Sequence, residues 1–180
     1  MRTVVLYELV SLDGVAEEPG NWMFDVDDDV FDNLGEVVSA QSDVLLGRGT
    51  YDYWADYWPT SDVQPFAGFI NSTPKHVFTS SPLPGAWSGA VAVRERAEDY
   101  VARLKAEPGG DIGVHGSITL AQSLLAAGLV DELRLVFAPT VAHSGRRLFQ
   151  DGSACQRLDL VSARRSATGA LFVHYATRSS

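Results

Sequence analysis

Two short glycine-containing turns carry the residue types best suited to hold an anion. His115-Gly116-Ser117 follows the apolar stretch Ile112–Val114 and precedes an amphipathic run, so Ser117 stands at a helix N-cap position and Gly116 lets the backbone approach a ligand closely. The free amides and partial positive charge of such a helix start suit a phosphate. Gly47-Arg48-Gly49-Thr50 follows a second buried-looking strand, Val44-Leu45-Leu46. Its arginine offers a planar fork of donors, its threonine a hydroxyl and its turn further amides, which is again chemistry for a phosphate. Each turn also has a plainer reading. Gly116 can serve close helix–strand packing, and Arg48 can pair with Asp43 or Asp52.

The elements that must position these turns alternate along the chain. Val4–Val10 is a β-branched, apolar run closed by Ser11-Leu12-Asp13-Gly14, which predicts a central strand and a tight turn. Val30, Phe31, Leu34, Val37 and Val38 share one helical face after Asp27-Asp28-Asp29, predicting a helix over about residues 27–41. Lys75–Thr79 is a further strand, closed by Ser80-Ser81-Pro82, and Ala90–Val93 a small one. Ala97, Val101 and Leu104 line a helix that Pro108-Gly109-Gly110 stops, and Gly109 to Pro139 reads as one strand–turn–helix–strand unit. Segments 14–26 and 52–72 are taken as loops, the second opening on the aromatic group around Tyr51, Trp54 and Trp58. After Ala138 two strands, about Arg157–Arg165 and Ala170–Thr177, flank Thr168-Gly169 in a hairpin signature. The alternation predicts an α/β fold with a mixed, mostly parallel sheet, helices on both faces and a C-terminal antiparallel hairpin at one edge.

Composition bounds the function. A chain of 180 residues with 46% hydrophobic content can bury one sizeable core, and one domain over 1–180 is expected. A net charge of −9 argues against nucleic acid or an anionic membrane as partner, so a phosphate must be held by local groups. The single cysteine, Cys155, allows no internal disulfide and fits a reducing compartment. Met1-Arg2-Thr3 leads straight into a strand pattern and no run reaches the ~18 apolar residues of a membrane span, so a cytoplasmic location is expected. His115 and His143 lack ligand spacing, and no metal is expected.

Five stretches in order carry a resemblance: Ser11-Leu12-Asp13-Gly14; Gly47-Arg48-Gly49-Thr50-Tyr51; Phe78-Thr79-Ser80-Ser81; His115-Gly116-Ser117 with Gly128-Leu129-Val130-Asp131-Glu132-Leu133; and Ser144-Gly145-Arg146-Arg147-Leu148-Phe149. Together they resemble the bacterial dihydrofolate-reductase-like family, which includes the reductase domain of bifunctional riboflavin-biosynthesis enzymes. The resemblance implies a three-layer α/β/α fold, NADPH bound at the carboxyl ends of the central strands, and a homodimer. The dimer contact is expected at edge strands formed by Asp131–Ala138 and the terminal hairpin.

By that resemblance Gly47, Arg48 and Thr50 face the cofactor phosphates, Ser80 and Ser81 receive the adenine ribose and its 2′-phosphate, and Gly116 and Ser117 form the pyrophosphate turn. This turn has fewer glycines than the family commonly carries, and Ser80-Ser81-Pro82 can equally be a turn alone. On the substrate side Trp22, Asp27 and Phe31 repeat the tryptophan, acid and phenylalanine spacing of the folate reductases, making Asp27 a candidate anchor and proton donor, with Asp13 a second substrate-side acid. Both acids have ordinary alternatives, helix-dipole complementation for Asp27 and turn chemistry for Asp13. Trp22, Phe24, Tyr51, Trp54 and Trp58 could line a pocket for a flat heterocycle, or serve as core or dimer surface. The expected function is NADPH-dependent hydride transfer to a small heterocyclic (pteridine- or pyrimidine-like) or carbonyl substrate. The alternative is a non-enzymatic nucleotide- or small-ligand-binding protein of the same fold.

Overall fold

Alternate side chains of β1 (Val4–Val10) enter two different cores: Val4, Leu6 and Val10 pack into one and Val5 and Tyr7 into the other. A strand buried on both faces needs cover on both sides, and the rest of the chain supplies it. In order follow α1 (Asp28–Ser39), β2 (Gln41–Gly47), α2 (Arg48–Tyr57), α3 (Phe66–Ser72), β3 (Lys75–Phe78), β4 (Ala90–Val93), α4 (Ala97–Ala106), β5 (Asp111–His115), α5 (Ile118–Ala126), β6 (Glu132–Phe137), β7 (Leu158–Arg165) and β8 (Leu171–Thr177). This computed structural model describes residues 1–85, 87–149 and 154–178.

The eight strands form one sheet in the order β4-β3-β2-β5-β1-β6-β8-β7. The first six of that order pair in parallel, and β8 and β7 add antiparallel at one end. On one face Val101 and Leu104 of α4 and Ala121 and Leu124 of α5 pack against Leu6, Ile112 and Val114. On the other, Val30 and Val37 of α1 cover Val5 and Tyr7, while Tyr51, Phe66 and Ile70 of α2 and α3 cover Val44, Leu46 and Val77. The α/β/α layering, the central place of β1 and the hairpin all agree with the sequence expectation.

Two expectations need correction. Residues 52–72 are not loop: α2 runs on to Tyr57, a 3₁₀ turn spans Trp58–Thr60 and α3 occupies Phe66–Ser72. At seven residues α3 is too short to show a helical period, and it holds through burial of Phe66 and Ile70. Nor is Asp131–Ala138 at an edge, because β6 lies between β1 and β8. The edge on that side is β7, which carries exposed Leu160 and Val161.

Parallel pairing brings the carboxyl ends of β1, β2, β3 and β5 to one rim of the sheet. Gly47, Thr79, Gly116 and the Ser11–Gly14 turn all lie there, at the place where open α/β sheets leave a crevice.

Candidate active site

At that rim a short chain of hydroxyls joins the two glycine turns. The Ser117 Oγ accepts from the Gly47 amide at 3.0 Å and donates to Thr50 Oγ1 at 2.9 Å, and Thr50 Oγ1 donates to the Gly116 carbonyl at 3.0 Å. Residues some 70 positions apart thus form one unit, with Ser117 buried and Thr50 half-buried. Neither α2 nor α5 has a side-chain cap on its first amides. Their N-terminal N–H groups therefore keep the free hydrogen-bonding capacity expected of anion sites. Gly49, in the first turn of α2, is exposed, and a Cβ there would meet nothing within 4 Å.

Arg48 extends this unit toward β3. Its Nε lies 2.7 Å from Asp52, and its Nη1 donates to Thr79 Oγ1 and to the Pro82 carbonyl, each at 3.2 Å. Thr79 Oγ1 in turn accepts from the Ser81 amide at 3.2 Å. The guanidinium is therefore positioned by Asp52 and Thr79 beside the exposed Ser80–Ser81 turn. One arginine pairs with its i+4 acid and spans two strand ends at once. Thr79, the residue that connects them, stands within Phe78-Thr79-Ser80-Ser81 but carries no site role in the sequence reading, although a polar residue closing an apolar strand is a visible signal.

Two further residues belong to the turn at Gly116 and escape motif reading. Gly116 has φ +60°, and a Cβ on it would lie 2.6 Å from the Trp54 ring, so the α2 aromatic sits directly on the turn. Glu8 lies level with it on the neighbouring strand β1: the residue is 5% exposed and its Oε1 has no partner. Burial pushes its pKa up to about 8, with the Gly116 amide opposing. A glutamate inside Val-Val-Leu-Tyr-Glu-Leu-Val is the sequence signal that could have exposed it. The neighbouring His115 is buried against Tyr7, Phe66 and Phe69, its Nε2 2.7 Å from Gln41 Oε1, and burial drives its pKa down to about 3.

On the substrate side the structure separates the expected residues. Trp22 is buried, donates to the Glu17 carbonyl at 2.9 Å and forms part of the wall of a cavity of about 520 Å³ between segments 17–24 and 140–145. Phe24, Glu18 and Ser144 share that wall, whereas Asp13, Asp27 and Phe31 do not line it. Asp13 accepts from Ser11 Oγ at 2.7 Å and from the Ala142 and His143 amides, fastening the first turn to the 140s segment. Asp27 caps α1 through the Val30 amide and receives the Thr168 hydroxyl at 2.8 Å and amide at 3.0 Å. Desolvation raises its pKa, and the Thr168 and Val30 hydrogen bonds outweigh it, so the carboxyl sits below its ordinary range. It is ionised at neutral pH, an acceptor and not a proton store. Phe31 is half-buried on α1. Among the described residues no three His, Cys, Asp or Glu side chains assemble as a metal cluster.

The rim gathers donor groups whose chemistry suits phosphate. Uncapped amides stand at two helix starts, a hydroxyl pair bridges them, and one guanidinium faces the third strand end.

Comparison with known proteins bears on the family and the fold. The RibD C-terminal domain family matches residues 2–172. The uncharacterized protein YyaP of Bacillus subtilis is 28% identical over 97% of this chain and 94% of its own length. A pyrimidine reductase-like protein from Corynebacterium diphtheriae superposes with TM-score 0.67 at 17% identity, covering 99% of this chain and 93% of that one. Dihydrofolate reductase from Enterococcus faecalis, solved with NADP(H) and RAB-propyl, gives TM-score 0.67 at 16% identity over 98% and 97% of the two chains. The last two likenesses establish a shared fold.

Proposed function

The chain belongs to the RibD C-terminal domain family, and from that premise we propose that it is a reductase using NADPH to reduce a small heterocyclic, pteridine- or pyrimidine-like, or carbonyl substrate. The observation that carries this reading is the Gly47–Ser117–Thr50–Gly116 hydrogen-bond chain, which joins two uncapped helix starts at the rim. NADPH would supply the hydride.

The protein's part is binding and alignment. Gly47, Thr50, Gly116 and Ser117 fix the two helix starts so that the uncapped first-turn amides of α2 and α5 hold the pyrophosphate, and Arg48 with Ser80 and Ser81 receives the ribose 2′-phosphate. Holding both reactants in register converts a bimolecular encounter into a local one. On the substrate side Trp22 and Phe31 offer aromatic surface, and Asp27 and Asp13 offer fixed carboxylates. Because Asp27 is held ionised by Thr168 and Val30, its role in this reading is to orient an N–H-bearing substrate. Assembly as a homodimer through the exposed β7 edge and a cytoplasmic location complete the proposal.

Titration of the wild-type protein and of Arg48→Ala with NADPH tests the assignment. Weakening of about tenfold or more is expected for the variant, the scale of a lost hydrogen bond to a charged group. Equal affinity in both proteins contradicts it.

A further inference from the structure

A carboxyl group buried beside a phosphate-binding turn needs an explanation, because ionised it would oppose the anion that the turn is built to hold. Glu8 is in that position. It occupies the middle of the sheet on β1, between β5 and β6, opposite Leu135 in register and next to the level of Gly116. It is 5% exposed, and its Oε1 has no hydrogen-bond partner.

Among the described residues no cation forms an ion pair with it. The ionisable groups on the flanking strands are Tyr7 beside it on β1, Asp111 and His115 on β5, and Glu132 and Arg134 on β6; α5 carries none, and on α4, which packs on the same face, Arg103 pairs with Glu95 and Lys105 with Asp131 while Glu98, Asp99 and Tyr100 bring no positive charge. Tyr7 is buried and neutral, its pKa raised by burial and by Glu8, and His115 is held neutral by burial. Arg134 pairs with Glu132 at 3.1 Å. From the loops and α2 that border the turn, Arg146 is bound to Glu17, Arg147 to the Asp13 carbonyl and Arg48 to Asp52. A buried carboxyl without a cation is stable only as the neutral acid.

We propose that Glu8 is a positioning residue of the Gly116–Ser117 turn that works in its uncharged form, so that a cofactor phosphate seats on the turn only while Glu8 carries a proton. The inference rests on the cofactor reading given above. It makes Glu8 a determinant of cofactor affinity that acts through the turn, without touching the reacting atoms. The bound anion stabilises the protonated acid further, and binding above the pKa of the free protein must therefore take up a proton.

The test is titration of wild type and Glu8→Gln with NADPH from pH 6.5 to 9.5 at constant ionic strength. Wild-type affinity is expected to hold to about pH 7.5 and then fall, approaching tenfold per pH unit, the limit for one linked proton. Glu8→Gln, neutral at every pH, is expected to show no such fall and to bind more tightly than wild type at pH 9. Lys75, whose pKa burial lowers to about 8, titrates in the same range, but it bonds the Ile70 and Thr73 carbonyls at the opposite end of β3 and stays intact in the variant. A purely architectural role for Glu8 would shift affinity equally at all pH values. Calorimetry of the wild type alone, in two buffers of different ionisation heat at pH 8, keeps the inference testable if the variant does not fold: uptake of about half a proton is expected. Zero uptake, a flat wild-type profile, or the same fall in both proteins overturns the inference while leaving the cofactor reading in place. Absence of NADPH binding at every pH overturns both.

Discussion

The Ser117 hydroxyl lies 2.9 Å from the Thr50 hydroxyl and simultaneously accepts from the Gly47 amide, so two helix starts distant in sequence share one hydrogen-bonded hinge point. Ser117→Ala leaves the Gly47 amide without its partner in a half-buried place. A loss of about 1–3 kcal/mol in denaturant unfolding is expected, together with weaker NADPH binding. Unchanged stability and unchanged affinity would show that the hydroxyl chain holds nothing.

Arg48 reaches the β3 end through Thr79 and Pro82, which ties it to the 2′-phosphate end of the proposed cofactor. Arg48→Ala should therefore weaken NADPH by more than it weakens NADH, lowering the ratio of the two affinities about tenfold. Parallel titrations with both nucleotides measure this. Its exposed pairing with Asp52 contributes little to folding, so the melting temperature should barely move.

Gly116 combines a positive φ with a Trp54 ring 2.6 Å from any added Cβ. Gly116→Ala is expected to destabilise by about 1–3 kcal/mol, from backbone strain and overpacking together. Adding Trp54→Ala should relieve the overpacking part, so the double variant loses less than the two single losses summed. Strict additivity in that cycle would refute the contact.

Stability should depend on pH through two buried groups of opposite sign. Glu8 has its pKa raised to about 8, so the stability it contributes is complete below its unfolded value near 4.5 and is lost as pH climbs to about 8. His115 has its pKa lowered to about 3, so its contribution is present above 6.5 and is lost as pH falls from 6.5 toward 3. Between pH 6.5 and 7.5 the Glu8 effect dominates, at up to about 1.4 kcal/mol per pH unit, and closer to pH 8 buried Lys75, its pKa lowered to about 8, offsets it. Unfolding free energies of wild type and Glu8→Gln across that interval should show a falling line and a flatter one.

Asp27 both caps α1 and ties the Ser166–Gly169 turn to it through Thr168. Asp27→Ala should cost about 1 kcal/mol in stability, and Asp27→Asn much less, because asparagine caps equally well. If turnover is found, a fall in Asp27→Asn with stability preserved assigns the carboxylate to the substrate.

Much of this fold is legible in the residues. Val4–Val10 announces a strand covered on both faces, the β–α alternation up to Phe137 requires parallel crossovers, and Thr168-Gly169 marks the hairpin between β7 and β8. Legible too are the glycine turns, since Gly47-Arg48-Gly49-Thr50 and Gly116-Ser117 each sit where a strand gives way to a helix. What joins them is not. The Ser117–Thr50 bond depends on β2 and β5 lying side by side, a pairing that sequence order conceals because β3 and β4 intervene. Trp54 reaching Gly116 is long-range in the same way. The interior place of β6 follows from β8 folding back beside it, and nothing local in Glu132–Phe137 distinguishes an inner strand from an edge. Asp27 shows the opposite problem: a local pattern pointed to it, while its partner Thr168 stands in the last turn of the chain.

The central claim is that this rim binds NADPH, and a fluorescence titration of the purified protein with NADPH and, in parallel, NADH tests it most directly. Saturable binding that favours NADPH by about tenfold or more is the predicted result. No binding of either nucleotide at millimolar concentration would contradict the cofactor site and favour a ligand-binding protein that performs no hydride transfer.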